Sequence, residues 1–202
     1  MSESEAPETG ETTDRIMRAT YCALCRHGYA DLTMQAIAEE SDLSKAALHY
    51  HYDSKAALLE SFLDYLLDSF RDRVAAIDAQ DPHARLLALV ELLFEPPGGD
   101  SDAEFRTAML ELKAQAPYAG ALRERLTEFD GYLRDELAAT LERAAEAGLL
   151  HDDVEPGTAA EFVVTVSQGA HTRRVALDRE TTAAESALRD YLEGLFDGEA
   201  AA

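Results

Sequence analysis

Lys45, His49, Tyr50, His51 and Lys55 crowd into one short stretch of a chain that is otherwise heavily acidic. From Leu43 to Leu58 two lysines face one aspartate, a formal +1, while the whole chain carries −22, so the remainder carries −23. Ammonium, imidazole and phenol groups gathered this closely suit phosphate oxygens and base edges, and they point to a nucleic-acid contact. Residues 33 to 58 read as two short helices joined by a tight turn and followed by the start of another. In a helix-turn-helix one helix braces while the next presents its N-terminal side chains to the major groove. Ala38 is small where the helices cross, Leu43 plugs the turn and Leu48 anchors the second helix inward. Lys45, Ala46, His49 and Tyr50 are left facing outward. The helix N-terminus capped by Ser44 suits a phosphate.

These groups need a scaffold, and the pattern around them is helical almost throughout. Asp14 to His27 carries Ile16, Thr20, Ala23, Leu24 and His27 on one stripe, with Gly28 as its C-terminal stop. Thr33, Ser44 and Ser54 are placed to cap three successive helices, the last running to about Ala79. Asp81-Pro82 opens a further helix through Phe94, Glu95 to Asp100 is a loop, and Ser101 starts a helix ending near Ala116. Long helices are expected from about Tyr118 to Ala147 and from Pro156 to about Leu177, and a last one from about Thr182 to Phe196. The first twelve residues, 1–12, lack apolar periodicity and are expected to form a disordered acidic tail. No convincing strand and no internal repeat stands out, so the fold class is all-α.

Several other chemistries find no support. There is no Gly-rich phosphate loop, nucleophile elbow or metal-ligand helix motif, so no enzyme and no cofactor is expected. Cys22 and Cys25 lie three apart in a helical pattern without a second Cys/His pair at zinc spacing, and they read as small helix residues. His151, Asp152 and Asp153 read as a solvated interhelical link rather than a metal site. The start of the chain, MSESEAPETGET, is acidic without a basic-then-apolar leader, and no apolar run is long enough to span a bilayer. A cytoplasmic protein is expected.

The chain resembles the TetR/AcrR family of repressors. The resemblance covers the whole length in architecture, with its signature in residues 16 to 59. It is carried by Ile16, Ala19, Leu24, Gly28 and Tyr29, by Thr33, Ile37 and Ala38, and by Leu43-Ser44-Lys45, Leu48, His51, Tyr52, Ser54-Lys55 and Leu58-Leu59. It implies an N-terminal three-helix head (13–59) joined through a long fourth helix to a ligand-binding and dimerisation domain (60–202). It also implies phosphate contacts from Thr33, Ser44 and Lys55, and base or mixed contacts from Gln35, Lys45 and Tyr50. Gln reads adenine bidentately and Lys reaches guanine O6/N7, while Ala46 or Ala47 can touch a thymine methyl. His51 stands where a phosphate contact is expected.

Three positions depart from the family pattern. Asp42 stands at a turn position usually held by Gly, and Asp adopts the left-handed conformation less readily. Ala46 replaces a usual Gly or Pro type. His49 stands where a phosphate-binding Tyr is preferred. Either His49 donates the same hydrogen bond, or its protonation makes DNA affinity pH-dependent near the reference pKa of about 6.5.

By the same resemblance the second half binds a small effector and forms a homodimer, with two heads on successive major grooves roughly 34–36 Å apart. The dimer surface is expected on the last two helices. Phe162, Val166, Gly169, Ala170 and Arg173 form one stripe, and Leu188, Tyr191, Leu192 and Leu195 the other. Tyr65, Phe105, Met109, Phe129, Gln168 and His171 are candidates for the effector pocket, mixing apolar walls with a few polar groups. A mixed pocket is compatible with drugs, acyl groups, aromatic acids or quaternary amines. The competing reading is a helical adaptor, or an activator of the same fold, with weak or altered DNA binding.

Acidity of this degree usually argues against nucleic acid. Here the carboxylates are dispersed over the chain and only Lys45, Lys55 and Lys113 among the eighteen cations are lysine, a pattern like that of salt-in halophile proteins. In molar salt the screening length falls to about 3 Å, so the self-repulsion of such a surface becomes tolerable. The acidity then reports the solvent rather than the partner. The melting temperature is accordingly expected to fall as salt is lowered from molar to dilute, and a melting temperature indifferent to salt contradicts this reading.

Overall fold

The structure, a computed structural model, describes residues 8–94 and 102–197. The helices are α1 (Glu8–Asp31), α2 (Met34–Ser41), α3 (Lys45–His51), α4 (Lys55–Ala75), α5 (Pro82–Phe94), α6 (Asp102–Gln115), α7 (Gly120–Glu146), α8 (Pro156–Leu177) and α9 (Thr182–Glu193). A 3-10 turn, Ala116–Tyr118, carries Pro117 between α6 and α7. Among the described residues the fold is all-α, apart from one antiparallel bridge between Leu150 and Phe196.

Several boundaries follow from local chemistry. The Thr33 hydroxyl accepts from Ala36 N at 3.0 Å, Ser44 from Ala47 N at 3.0 Å and Ser54 from Ala57 N at 3.1 Å, the three caps expected from the sequence. Gly28, at φ 67° and ψ 177°, breaks α1 in a backbone region open essentially to glycine alone, and one further turn reaches Asp31. Residues 8–12, expected within a disordered tail, are helical instead; Glu11 lies in the first turn, where a carboxylate favours the helix dipole. The rest of that tail and the expected loop at 95–100 lie outside the described residues. The last helix stops at Glu193 rather than Phe196, because the following backbone finds other partners. His151 N donates to Leu195 O and Asp197 N to Leu149 O, both at 3.0 Å.

The chain divides into two compact units, Met1–Leu67 with Gly98–Leu126 and Asp68–Pro97 with Thr127–Ala202. The first therefore takes in α6, which lies far beyond residue 59 in sequence. Its core gathers Ile16, Met17 and Leu24 from α1, Ile37 from α2, Leu48 from α3, Leu58 and Phe62 from α4, and Leu112 from α6. The second is built around Leu86, Leu89 and Val90 of α5, Leu137 and Leu141 of α7, Val163 and Val164 of α8, and Leu188 and Leu192 of α9.

That second core corrects the expected dimer stripes. Leu188, Leu192, Leu195 and Ala170 are buried within their own unit, so they are not available to a partner. α8 carries apolar or small residues around its whole circumference, and periodicity could not say which side faced inward. Phe162, Gly169 and Arg173 remain exposed and Val166 half-exposed. The Phe162 ring lies 4.7 Å from that of Tyr191.

Between α2 and α3 the turn is made by Asp42 at φ 56° and ψ 18°, the left-handed conformation that a non-glycine residue adopts at a cost. Asp42→Gly should therefore be more stable than Asp42→Ala by about 1 kcal/mol. In a chain of this size that is roughly 2–4 °C in melting temperature, and both variants remove the same charge. Equal melting temperatures for the two would contradict a strained turn.

Candidate nucleic-acid interface

The head is assembled on α1. Arg15 Nη2 donates to Ser41 O at 3.0 Å, closing the C-terminal end of α2. The buried Ser41 hydroxyl donates to Ala38 O at 3.0 Å and accepts from Leu43 N at 3.3 Å, which shapes the turn from within. Arg26 pairs with Glu40 across the same helices. Ala38 is buried at the helix crossing and Leu43 is half-buried against the core.

On this base α3 is held inward by Leu48, which is fully buried. Lys45, Ala46 and His49 are exposed, Tyr50 is 88% exposed, and His51 is half-buried with its ring 5.5 Å from that of Tyr50. Lys45 makes no ion pair among the described residues, so its charge is available to an external anion. Thr33 and Ser44 are exposed, and each uses its hydroxyl oxygen as a cap acceptor. A hydroxyl keeps its O–H donor in that role, which leaves it able to meet a phosphate. Gln35 is exposed too, with its amide donating to Glu39 Oε1 at 2.9 Å; one N–H and the carbonyl oxygen stay free for a base edge.

Residues 16–62 match the family described as bacterial regulatory proteins, tetR family, and residues 82–197 match the C-terminal region of the BetI-type transcriptional repressors. The chain belongs to the TetR family of transcriptional regulators. Members of this family are regulators and not enzymes. The BetI regulator of Agrobacterium fabrum is 34% identical over 130 residues, a match that spans 63% of this chain and 62% of that protein. A TetR transcription regulator from Haloarcula marismortui shares 37% identity and a TM-score of 0.85, over 93% of this chain and 100% of that one. A transcriptional regulator from Saccharomonospora viridis, crystallised in complex with choline, has the same fold at 22% identity, with a TM-score of 0.81 over 93% and 98% of the two chains.

In this TetR-family chain Lys55 has a task that its position in the sequence does not announce. Its ammonium donates to Tyr29 O at 3.0 Å and Leu32 O at 2.9 Å, and lies 4.5 Å from the centre of the Tyr29 ring. Two of its three donors thus brace the segment leading into α2, where a phosphate clamp was expected. Burial pulls its pKa below the ordinary lysine value. On the other side of that segment Glu111 of α6 accepts from Tyr29 N at 2.7 Å. Sequence reasoning missed Arg15, Ser41 and Glu111. Their partners are backbone groups, which leave no side-chain pattern to read, and those of Arg15 and Glu111 lie 26 and 82 residues away.

The six effector candidates fall in different units. Tyr65, Phe105 and Met109 belong to the first, where Tyr65 and Met109 pack against the core. Phe105 is 5% exposed, with its ring 4.6 Å from that of Tyr21, whose phenol burial pushes up to about 12. Phe129, Gln168 and His171 belong to the second. There Phe129 lies 5.4 Å from Phe70, Gln168 donates to Asp130, and His171 lies 5.4 Å from Phe94. None of the six lines a cavity of about 360 Å³ at the start of α8, which is bordered by His151, Asp153, Glu155, Thr158 and Tyr191.

If Lys55 braces the head, its removal must be felt without DNA. Lys55→Met is expected to cost the free protein about 2 kcal/mol, the scale of hydrogen bonds from a charged donor. Thermal denaturation in the absence of DNA reads this directly, and an unchanged midpoint would return Lys55 to a purely phosphate-binding role.

Proposed function

We propose that this TetR-family regulator is a ligand-responsive repressor that binds a palindromic operator as a homodimer and is released by a small-molecule effector. The observation that carries the reading is α3 itself. Its inward side is anchored by Leu48, while Lys45, Ala46, His49 and Tyr50 stand in solvent at the positions from which a recognition helix reaches base edges. Gln35 and the hydroxyls of Thr33 and Ser44 flank them, and His51 lies at the end of the same helix. Lys55 supports this surface from behind.

A second copy of the chain fits the outward face of α8, where Phe162 stands beside the exposed, small residues Thr165, Gly169, Thr172 and Ala176. For the effector, a quaternary amine is the class with most support. The related fold from Saccharomonospora viridis was solved with choline. In the second unit the rings of Phe70, Phe129 and Tyr132 group together, and Arg71 already lies 5.3 Å above Tyr132, a ring face that accepts a cation. The acidic surface and the relative from the halophile Haloarcula marismortui support work in concentrated salt.

The test is binding to the duplex upstream of the protein's own gene, followed by fluorescence anisotropy at molar salt, since phosphate-dominated affinity depends steeply on salt. Wild type is expected to prefer that duplex over a scrambled one, and Tyr50→Ala and Lys45→Ala should each weaken the preferred binding by about 1–3 kcal/mol. Choline should release the duplex and raise the melting temperature. Equal affinity for both duplexes would leave the fold without its repressor role, whereas release by another compound but not choline would reject the effector class alone.

A further inference from the structure

We propose that Glu111 is a positioning residue for operator reading: from α6 it fixes the angle at which residues 29–33 deliver α2 and α3. The proposal rests on α3 being the DNA-contacting helix. Gly28, in its glycine-only conformation, releases the next amide from the helical ladder of α1. That amide, Tyr29 N, is taken by Glu111 Oε2 at 2.7 Å. A Cβ built on Gly28 would stand 2.8 Å from the same oxygen, so the carboxylate occupies the space that glycine leaves. The carbonyl of Tyr29 is meanwhile held at 3.0 Å by Lys55. One residue is thus fixed at its N–H by an anion on α6 and at its C=O by a cation on α4.

The chain beyond Tyr29 carries the effect of this grip to the reading helix. Leu32 O is held by the same ammonium, Thr33 caps α2, and the α2–turn–α3 hairpin hangs from this point. α2 has eight residues, a lever of about 12 Å. A ten-degree error at its base moves the far end by roughly 2 Å, enough to spoil bidentate contacts at a base edge. Arg15 reaches the far end of α2 with one long side chain, donating to Ser41 O, while Glu111 acts at the near end. α6 also lies within the 82–197 stretch that matches the BetI-type C-terminal region, while it packs in the unit that contains the head. The carboxylate therefore brings a residue of the C-terminal sequence into the alignment of the reading helix.

The experiment compares Glu111→Ala, Glu111→Asp and Glu111→Gln in the full-length protein. Affinity is measured on the upstream duplex and on a scrambled duplex of equal length, with melting temperatures alongside. Glu111→Ala and Glu111→Asp lose the acceptor at that reach and should weaken upstream-duplex binding about tenfold, the scale of one charged hydrogen bond. Glu111→Gln keeps a carbonyl acceptor and should stay within about twofold of wild type. Scrambled-duplex affinity, carried by phosphate charge, should be unchanged in all three. If Glu111→Ala does not fold, the contrast between Asp and Gln decides. A preserved upstream-to-scrambled ratio in Glu111→Ala or Glu111→Asp overturns the proposal, and a drop in melting temperature with that ratio intact marks a role in stability alone. Wild type without preference for the upstream duplex overturns the DNA reading itself, and this proposal with it.

Discussion

A helix of seven residues does not persist in water by itself, because nucleation costs more than so few hydrogen bonds return. α3 is such a helix, and everything outward on it depends on what holds it in place. Leu48 is enclosed by a core drawn from α1, α2 and α4, Ser44 closes the first turn, and Tyr52 N closes the last on Leu48 O. The left-handed Asp42 fixes how α3 leaves α2. The exposed surface of α3 is therefore a product of the packing beneath it, and the outward side chains contribute little to its formation.

How much of this could be read from the sequence depended on whether the signal was local. The caps at Thr33, Ser44 and Ser54 act over three residues, and all three stand where the residue types place them. Asp42 was legible for the same reason, since a turn between two short helices restricts its own backbone. The two carbonyls that Lys55 meets were not legible, because a lysine at a helix start looks the same whether its charge meets a phosphate, backbone carbonyls or both. Glu111 could not be found at all: one acidic residue among forty Asp and Glu carries no mark of the amide it will meet. Leu188, Leu192 and Leu195 show the converse difficulty, since a leucine stripe reads alike whether it packs on its own chain or on another.

The distribution of charge partners bears on the same surface. Arg26, Arg71, Arg85, Arg125, Arg174 and Arg189 each meet carboxylates of the chain itself. Exposed pairs of this kind contribute little to stability. They do neutralise cations that would otherwise attract phosphate wherever they lay. Lys45 makes no such pair among the described residues, so its charge stays open beside the exposed side of α3.

The division of α3 into one anchoring side and one solvated side has an evolutionary consequence. Leu48 can hardly change without loss of the helix, whereas Lys45, Ala46, His49 and Tyr50 carry almost none of the fold's stability. On the proposed DNA-reading role, substitutions at those four positions would be filtered by the DNA sequence they select and scarcely by folding. In that role, descendants of this chain would exchange one set of target genes for another by a few mutations in a single helical turn and a half, while the architecture beneath is inherited intact.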